Sequence, residues 1–193
     1  MILAGDIGGT KTHLALYSPE LSLIASARYP SQNYQDLRAI LRQFLDEYAA
    51  FSPKITVVCL GVAGTICAKN CTLPNLPHWT TISIAELQQF FNLERVKLLN
   101  DLEAMGWGIS CLKPAQLQIL QQGKPSQGNA VLLAAGTGLG ESCLYWDGSQ
   151  HLPIATEGGH SDFAPRNTLE IGLLQYLNRY YSRVSYERVL SGS

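Results

Sequence analysis

An apolar strand that halts at a glycine-rich turn and resumes as a second apolar strand occurs twice in this chain. The two copies are ILAGDIGGTKTHLALY (2–17) and AVLLAAGTGLGESCLYW (130–146). Glycines at a short turn are enough to make a hairpin. The first turn carries more than that: DIGGTKT (6–12) adds an acid, two threonines and a lysine. Two such turns about 130 residues apart predict two α/β domains, one hairpin each. Facing each other across a cleft, the turns would offer backbone N–H groups to a polyphosphate from both sides. Composition shifts to Lys, Pro, Gln and Gly over 111–129. The expected domains are therefore 1–112 and 113–193, with the boundary between about 110 and 125.

The remaining segments fill this outline. LSLIASARYP (21–30) reads as a third strand. YQDLRAILRQFLDEYAAF (34–51) spaces Leu37, Ile40, Leu41, Phe44, Leu45 and Tyr48 for one face of a helix. ITVVCLGVAG (55–64) is a continuous β-branched run that suits a buried central strand. A proline-bearing loop follows, then a short helix over 83–91, where Ser83 and Glu86 have capping-box spacing. VKLLN (96–100) is a short strand leading directly into the helix DLEAMGWGI (101–109). Beyond the second hairpin a TEGGHSDFAP loop (156–165) precedes a helix over 167–182, and SYERVL begins another at Ser185.

Charge and cysteines exclude several classes. Fourteen basic and fifteen acidic residues give a net charge of −1, with no basic block to attract nucleic acid or lipid. No apolar run approaches the ~20 residues of a membrane span, and Asp6 interrupts the N-terminal apolar stretch too early for a secretory signal. Cys59, Cys67, Cys71, Cys111 and Cys143 are odd in number and scattered, which suits free thiols in a reducing cytoplasm. Cys67 and Cys71 lack a second ligand pair at metal-binding spacing.

Three stretches carry chemistry. DIGGTKT has neither the spacing nor the following helix of a Walker loop. Gly8 and Gly9 permit close backbone approach, Thr10 and Lys11 could donate to phosphate oxygens, and Asp6 could hold a magnesium-bound water; the alternative is a solvated hairpin in which Asp6 only hydrogen-bonds the turn. In LLNDLEA (98–104) an Asp between strand and helix is often only an N-cap. Ligands of open α/β sheets nevertheless bind at carboxyl ends of strands, where Asn100 and Asp101 lie, and Asp101 could accept the proton of an alcohol attacking a phosphate. In TEGGHSDF (156–163), Glu157, His160 and Asp162 form either a solvated loop or a polyol site. Glu187 alone reads as an exposed helix residue.

Taken in order, DIGGTKT, LLNDLEA, AAGTGLGES, TEGGHSDFAP and YERVLSG resemble the bacterial glucokinases of the sugar kinase/Hsp70/actin superfamily, over residues 2–193. The resemblance implies an actin-like, ribonuclease H-like ATPase fold of two domains around a cleft. It also implies ATP- and Mg²⁺-dependent phosphorylation of glucose at its 6-hydroxyl. Carried over by position, Asp6, Gly8, Gly9, Thr10 and Lys11 are the first phosphate motif, and Gly136, Thr137, Gly138 and Gly140 belong to the second. Asn100 and Asp101 become the sugar-binding pair, with Asp101 the general base, and Glu157, His160 and Glu187 the remaining glucose contacts. Gly64-Thr65 and PNLPHW (74–79) would border the sugar cleft. SDFAPRN replaces the cysteine-rich zinc motif of the related repressor/open-reading-frame/kinase group, and a helix-turn-helix is absent, so neither zinc nor a repressor is expected. Members of the family continue beyond YERVLSG, so the resemblance implies an incomplete second domain and adenosine site. Exposed apolar surface would then favour self-association as a homodimer. The rival expectations are a non-catalytic sugar-binding or regulatory protein of the same fold, and a kinase for another hexose.

Overall fold

The structure is a computed structural model that describes residues 1–124 and 126–192. Pro125, in the expected boundary stretch, and Ser193, the last residue of the resemblance, lie outside the described residues. The chain forms two compact units, Met1–Ala104 and Met105–Ser193.

In the first unit, β1 (Ile2–Ile7), β2 (Lys11–Tyr17) and β3 (Leu23–Pro30) form an antiparallel meander, followed by α1 (Leu37–Glu47). β4 (Val57–Val62) returns parallel to β1. β5 (Thr65–Cys67), β6 (Asn70–Thr72) and β7 (Ile82–Ser83) make a small separate sheet before α2 (Ile84–Phe91). β8 (Val96–Asn100) then adds parallel to β4 and completes the order β3-β2-β1-β4-β8. Helix α3 (Asp101–Ile109) starts on the next residue.

Period-2 patterning decides the core here. Leu3 and Ile7 on β1, Leu14 and Leu16 on β2, and Val58, Leu60 and Val62 on β4 are wholly or almost wholly buried. They join Leu37, Ile40, Leu41 and Phe44 of α1 in one cluster. The fit is close: a Cβ on Gly5 would lie 2.7 Å from a Leu60 methyl and 2.9 Å from a Leu14 methyl. Helix α1 begins three residues later than its periodicity suggests, because Asp36 caps it by accepting the Ala39 N–H at 2.8 Å. The expected capping box at α2 does not form. Ser83 pairs with Asn70 in the small sheet and its side chain makes no cap bond, while Glu86 faces Arg38 at 3.8 Å. Asn92 ends α2 in the left-handed region, φ 52°, with its N–H on the Gln88 and Gln89 carbonyls.

In the second unit, β9 (Ala130–Ala135), β10 (Leu139–Trp146) and β11 (His151–Thr156) form an antiparallel sheet with β10 in the centre. α4 (Thr168–Leu177) and the short α5 (Tyr186–Leu190) follow. β11 has no strand-like sequence signal because Pro153 interrupts it. It is an edge strand, where a residue without an N–H is tolerated. α4 ends at Leu177, five residues short of its expected end, and Tyr180 and Tyr181 both turn back onto the Leu177 carbonyl. Among the described residues no helix is long and apolar enough to cross a membrane.

Phe44 is fully buried with its ring 6.5 Å from Tyr29 and 4.8 Å from Tyr48. Phe44→Ala is expected to remove about 3–5 kcal/mol of stability, through lost transfer energy and the cavity left behind. Urea unfolding followed by far-ultraviolet circular dichroism measures it, and a midpoint equal to wild type would contradict the packing described.

Candidate active site

Strand register brings three motif ends together in the first unit. Ile7 pairs with Val62, and Val62 with Asn100, so β1, β4 and β8 finish in one row. The residues just beyond that row are Gly8, Ala63 and Asp101, and the Ala63 N–H donates to Ile7 O at 2.9 Å.

The first glycine turn is held from inside by one serine. Ser31, fully buried, gives its N–H to Thr10 O at 3.1 Å and its hydroxyl to Gly8 O at 2.7 Å. A serine has one hydroxyl proton, so Thr12 donates its own to Ser31 Oγ across their 3.0 Å contact. The Lys11 carbonyl accepts the Gly8 N–H at 2.9 Å. All three carbonyls are thus occupied within the protein. Because trans peptides set C=O and N–H on opposite sides, the Gly9 and Lys11 amides are directed away from Ser31. With the Gly8 and Thr10 carbonyls turned to Ser31 and the Gly9 and Lys11 amides turned away from it, the turn could accept an anion such as phosphate, and Asp6, exposed at the strand end, could hold a magnesium-bound water. Thr10 and Lys11 are exposed on the same turn.

Asn100, rather than Asp101 alone, caps α3. Its Oδ1 accepts the Leu102 N–H at 3.0 Å and the Glu103 N–H at 3.4 Å, while its Nδ2 donates to Gly64 O at 3.3 Å. Asp101 Oδ1 also accepts the Leu102 N–H, at 2.9 Å. Gly64 is wedged in place: a Cβ there would fall 2.2 Å from the Thr72 carbonyl oxygen and 3.0 Å from Cys71 Sγ. Burial, and then the Asp101 charge, push the Cys71 thiol up to about 11. Of the PNLPHW segment, Asn75 lies against Gly9 of the first glycine turn.

In the second unit the His160 ring stands between two carboxylates, Nδ1 3.1 Å from Glu157 and Nε2 3.3 Å from Glu187. Two links fix this arrangement. The Phe163 N–H donates to Val184 O at 3.0 Å and the Tyr186 N–H to Ser161 O at 3.0 Å. Ser185 caps α5 through the Arg188 N–H at 3.4 Å. Glu187 is therefore half-buried rather than an exposed helix residue. Its second oxygen accepts the Leu139 N–H at 3.0 Å, and a Cβ on Gly138 would meet it at 2.6 Å. Gly136 closes the same turn, donating to Gly138 O and accepting from the Gly192 N–H, both at 2.8 Å. Asp162 pairs with Arg183 instead of joining the His160 group. Glu141, which the sequence does not single out, packs its carboxylate against Gly158. Its position just past a glycine turn is the only sequence signal for it.

A strand–glycine-turn–strand hairpin lies in each unit, with an Asn-Asp pair at a parallel strand end in the first and a carboxylate–imidazole group beside the turn of the second, and the fold is that of the actin-like sugar kinases. The glucokinase family model matches residues 3–193. The chain is 40% identical to glucokinase of Nostoc punctiforme over all of its own length and 57% of that protein's. With glucokinase of Tolumonas auensis it shares 35% identity over 99% of its length and 59% of the relative's. The crystal structure of a glucokinase from an Antarctic psychrotroph superposes with a TM-score of 0.80 at 29% identity, covering 99% of this chain and 60% of that one. The glucokinase of Balamuthia mandrillaris, solved in complex with glucose, shares the fold at a TM-score of 0.68 and 21% identity, over 99% of this chain and 59% of that one. The chain belongs to the glucokinase family, and it spans a little under three fifths of the length of the curated relatives it matches.

Three outcomes test the geometry. Ser31→Ala strands the Thr12 hydroxyl and the Gly8 carbonyl inside the protein. It is expected to cost about 1–3 kcal/mol and to speed amide hydrogen exchange at Gly9 and Lys11; unchanged exchange there would remove Ser31 from its bracing role. Cys71, buried and mostly protonated, is expected to resist iodoacetamide at pH 8 while exposed Cys67 and Cys111 react. Asp101→Asn removes a nearby negative charge and is expected to lower the Cys71 pKa, read as faster alkylation at high pH by mass spectrometry.

Proposed function

We propose that this chain carries the sugar-binding and phosphate-binding elements of an ATP-dependent glucokinase, which transfers the γ-phosphoryl group of ATP to the 6-hydroxyl of glucose. The observation that carries the reading is the His160 group: an imidazole held between Glu157 and Glu187, with Glu187 also bonded to the amide of the second glycine turn. Two carboxylates and an imidazole on one loop offer both acceptors and donors to vicinal hydroxyls, as a hexose requires.

In the proposed mechanism Asn100, Asp101, Glu157, His160 and Glu187 bind glucose. Asp101 takes the proton of the 6-hydroxyl as that oxygen attacks the γ-phosphorus, the bond to the β-phosphate oxygen breaks, and ADP leaves. The amides of Gly9 and Lys11, with Thr10 and the Lys11 ammonium, receive phosphoryl oxygens on one side; Gly136, Thr137 and Gly138 are assigned the other. Mg²⁺ bound through a water on Asp6 would neutralise phosphate charge. General-base assistance of this kind is worth roughly 10²–10⁴-fold. A cytoplasmic location, where ATP is supplied, belongs to the same proposal. So do domains meeting near residue 112 and self-association as a homodimer, which the exposed Val131, Leu133 and Ile154 support.

Titration calorimetry of the 193-residue chain with glucose, and galactose as control, tests the sugar assignment. Selective glucose binding is expected; no heat from a chain shown to be folded would count against glucose. In a chain extended to the length of its relatives, Asp101→Asn is expected to leave glucose affinity within a few-fold and to cut glucose-dependent ADP release by at least about a hundredfold. Equal turnover in the two proteins would remove Asp101 from the role of base.

A further inference from the structure

Gly9 is the more crowded of the two glycines in the first turn. A Cβ built on it would lie 2.5 Å from Asn75 Cβ, 3.5 Å from Asn75 Cγ and 3.6 Å from Asn75 Nδ2. On Gly8 the only neighbour would be the Lys11 carbonyl oxygen, at 3.1 Å. The missing side chain at Gly9 therefore makes room for the carboxamide of Asn75. That side chain is exposed and has no hydrogen bond to any described residue.

The backbone under Asn75 is nevertheless pinned. Leu73 and Leu76, on either side of it, are buried in the core, and the Leu76 N–H donates to Leu73 O at 3.0 Å. Trp79 continues the turn, with its N–H on Leu76 O at 3.0 Å and its indole N–H on Tyr34 O at 2.9 Å. Two buried leucines and a buried tryptophan thus hold an otherwise uncommitted amide donor over a turn whose Gly8, Thr10 and Lys11 carbonyls are engaged. Proline at 74 and 77 stiffens the segment further.

We propose that Asn75 is an additional ligand of the transferring phosphoryl group: its Nδ2–H₂ donates to a phosphoryl oxygen bound by the Gly9 and Lys11 amides. The proposal rests on the assignment of this turn as a phosphate site. Hydrogen bonds to a charged acceptor are stronger than neutral ones. Loss of the donor is therefore expected to weaken phosphate binding roughly tenfold or more. Asparagine also supplies a donor without adding charge, so the turn keeps Lys11 as its only cation.

The test uses the ¹⁵N-labelled 193-residue chain titrated with inorganic tripolyphosphate and Mg²⁺, which needs no adenosine contact. Backbone amides of the turn and the Asn75 side-chain NH₂ are followed together. The expected result is that Gly9, Lys11 and the Asn75 NH₂ move with one binding curve. Asn75→Ala should then bind at least about tenfold more weakly. Asn75→Asp fills the same space over Gly9 but replaces the donor with an anion, and should bind more weakly still. A merely structural role would leave the Asp variant near wild type. If the backbone amides shift while the Asn75 NH₂ stays still and both variants bind like wild type, the proposal is overturned and the phosphate assignment survives. If no amide of the turn responds in the folded chain, the phosphate assignment fails and the proposal fails with it.

Discussion

The parallel pairing of β1, β4 and β8 is the constraint on which the rest of the first unit depends. Hydrogen bonding fixes Ile7 opposite Val62 and Val62 opposite Asn100, so three segments far apart in sequence end at one level. Burial enforces that register, because alternate residues of β1 and β4 fill the core and a one-residue slip would turn Leu3, Ile7, Leu60 and Val62 toward the wrong face. The chemistry of the turns is placed by packing some distance beneath it. Asp101 stands where it does because Leu98 and Leu99 are buried and Asn100 caps the helix that follows.

Hydrogen-bond accounting then explains how the first turn is held in shape. Buried polar groups must be paired, and the Thr12–Ser31 pair is a fully buried hydroxyl couple with each proton committed. Its proton chain runs from Thr12 to Ser31 to the Gly8 carbonyl, drawing the negative ends of the turn's dipoles inward. In the second unit a carboxylate performs a related service. Glu187 accepts the Leu139 amide at the base of the second turn while its other oxygen meets the His160 ring.

Much of this was legible in the sequence, and the misses have physical causes. Both hairpins, the β4 and β8 strands and the α3 helix follow from patterns of apolar residues and glycines that local structure obeys. The Glu157–His160 proximity follows from their spacing on a glycine-flexed loop. What sequence could not supply were contacts between distant segments: Ser31 under Gly8, Asn75 over Gly9, and Glu187 against Leu139, separated by 23, 66 and 48 residues. Position carried no local signature for them, since a serine after a proline or an asparagine between a proline and a leucine suits many loops. β11 was hidden for a different reason: Pro153 is tolerated only because the strand lies at an edge. The Ser83–Glu86 spacing misled because sheet pairing claimed Ser83 before it could cap.

The divided carboxylate of Glu187 has a consequence for how such a loop can diversify. One side chain answers to two neighbours, so a replacement that alters the His160 contact must also leave the Leu139 amide satisfied. Glu157 carries no such second obligation. It is 66% exposed and touches His160 from the solvent side of the pair. Substitution among chains built this way should therefore accumulate first at position 157, with position 187 changing only in step with the glycine turn it supports.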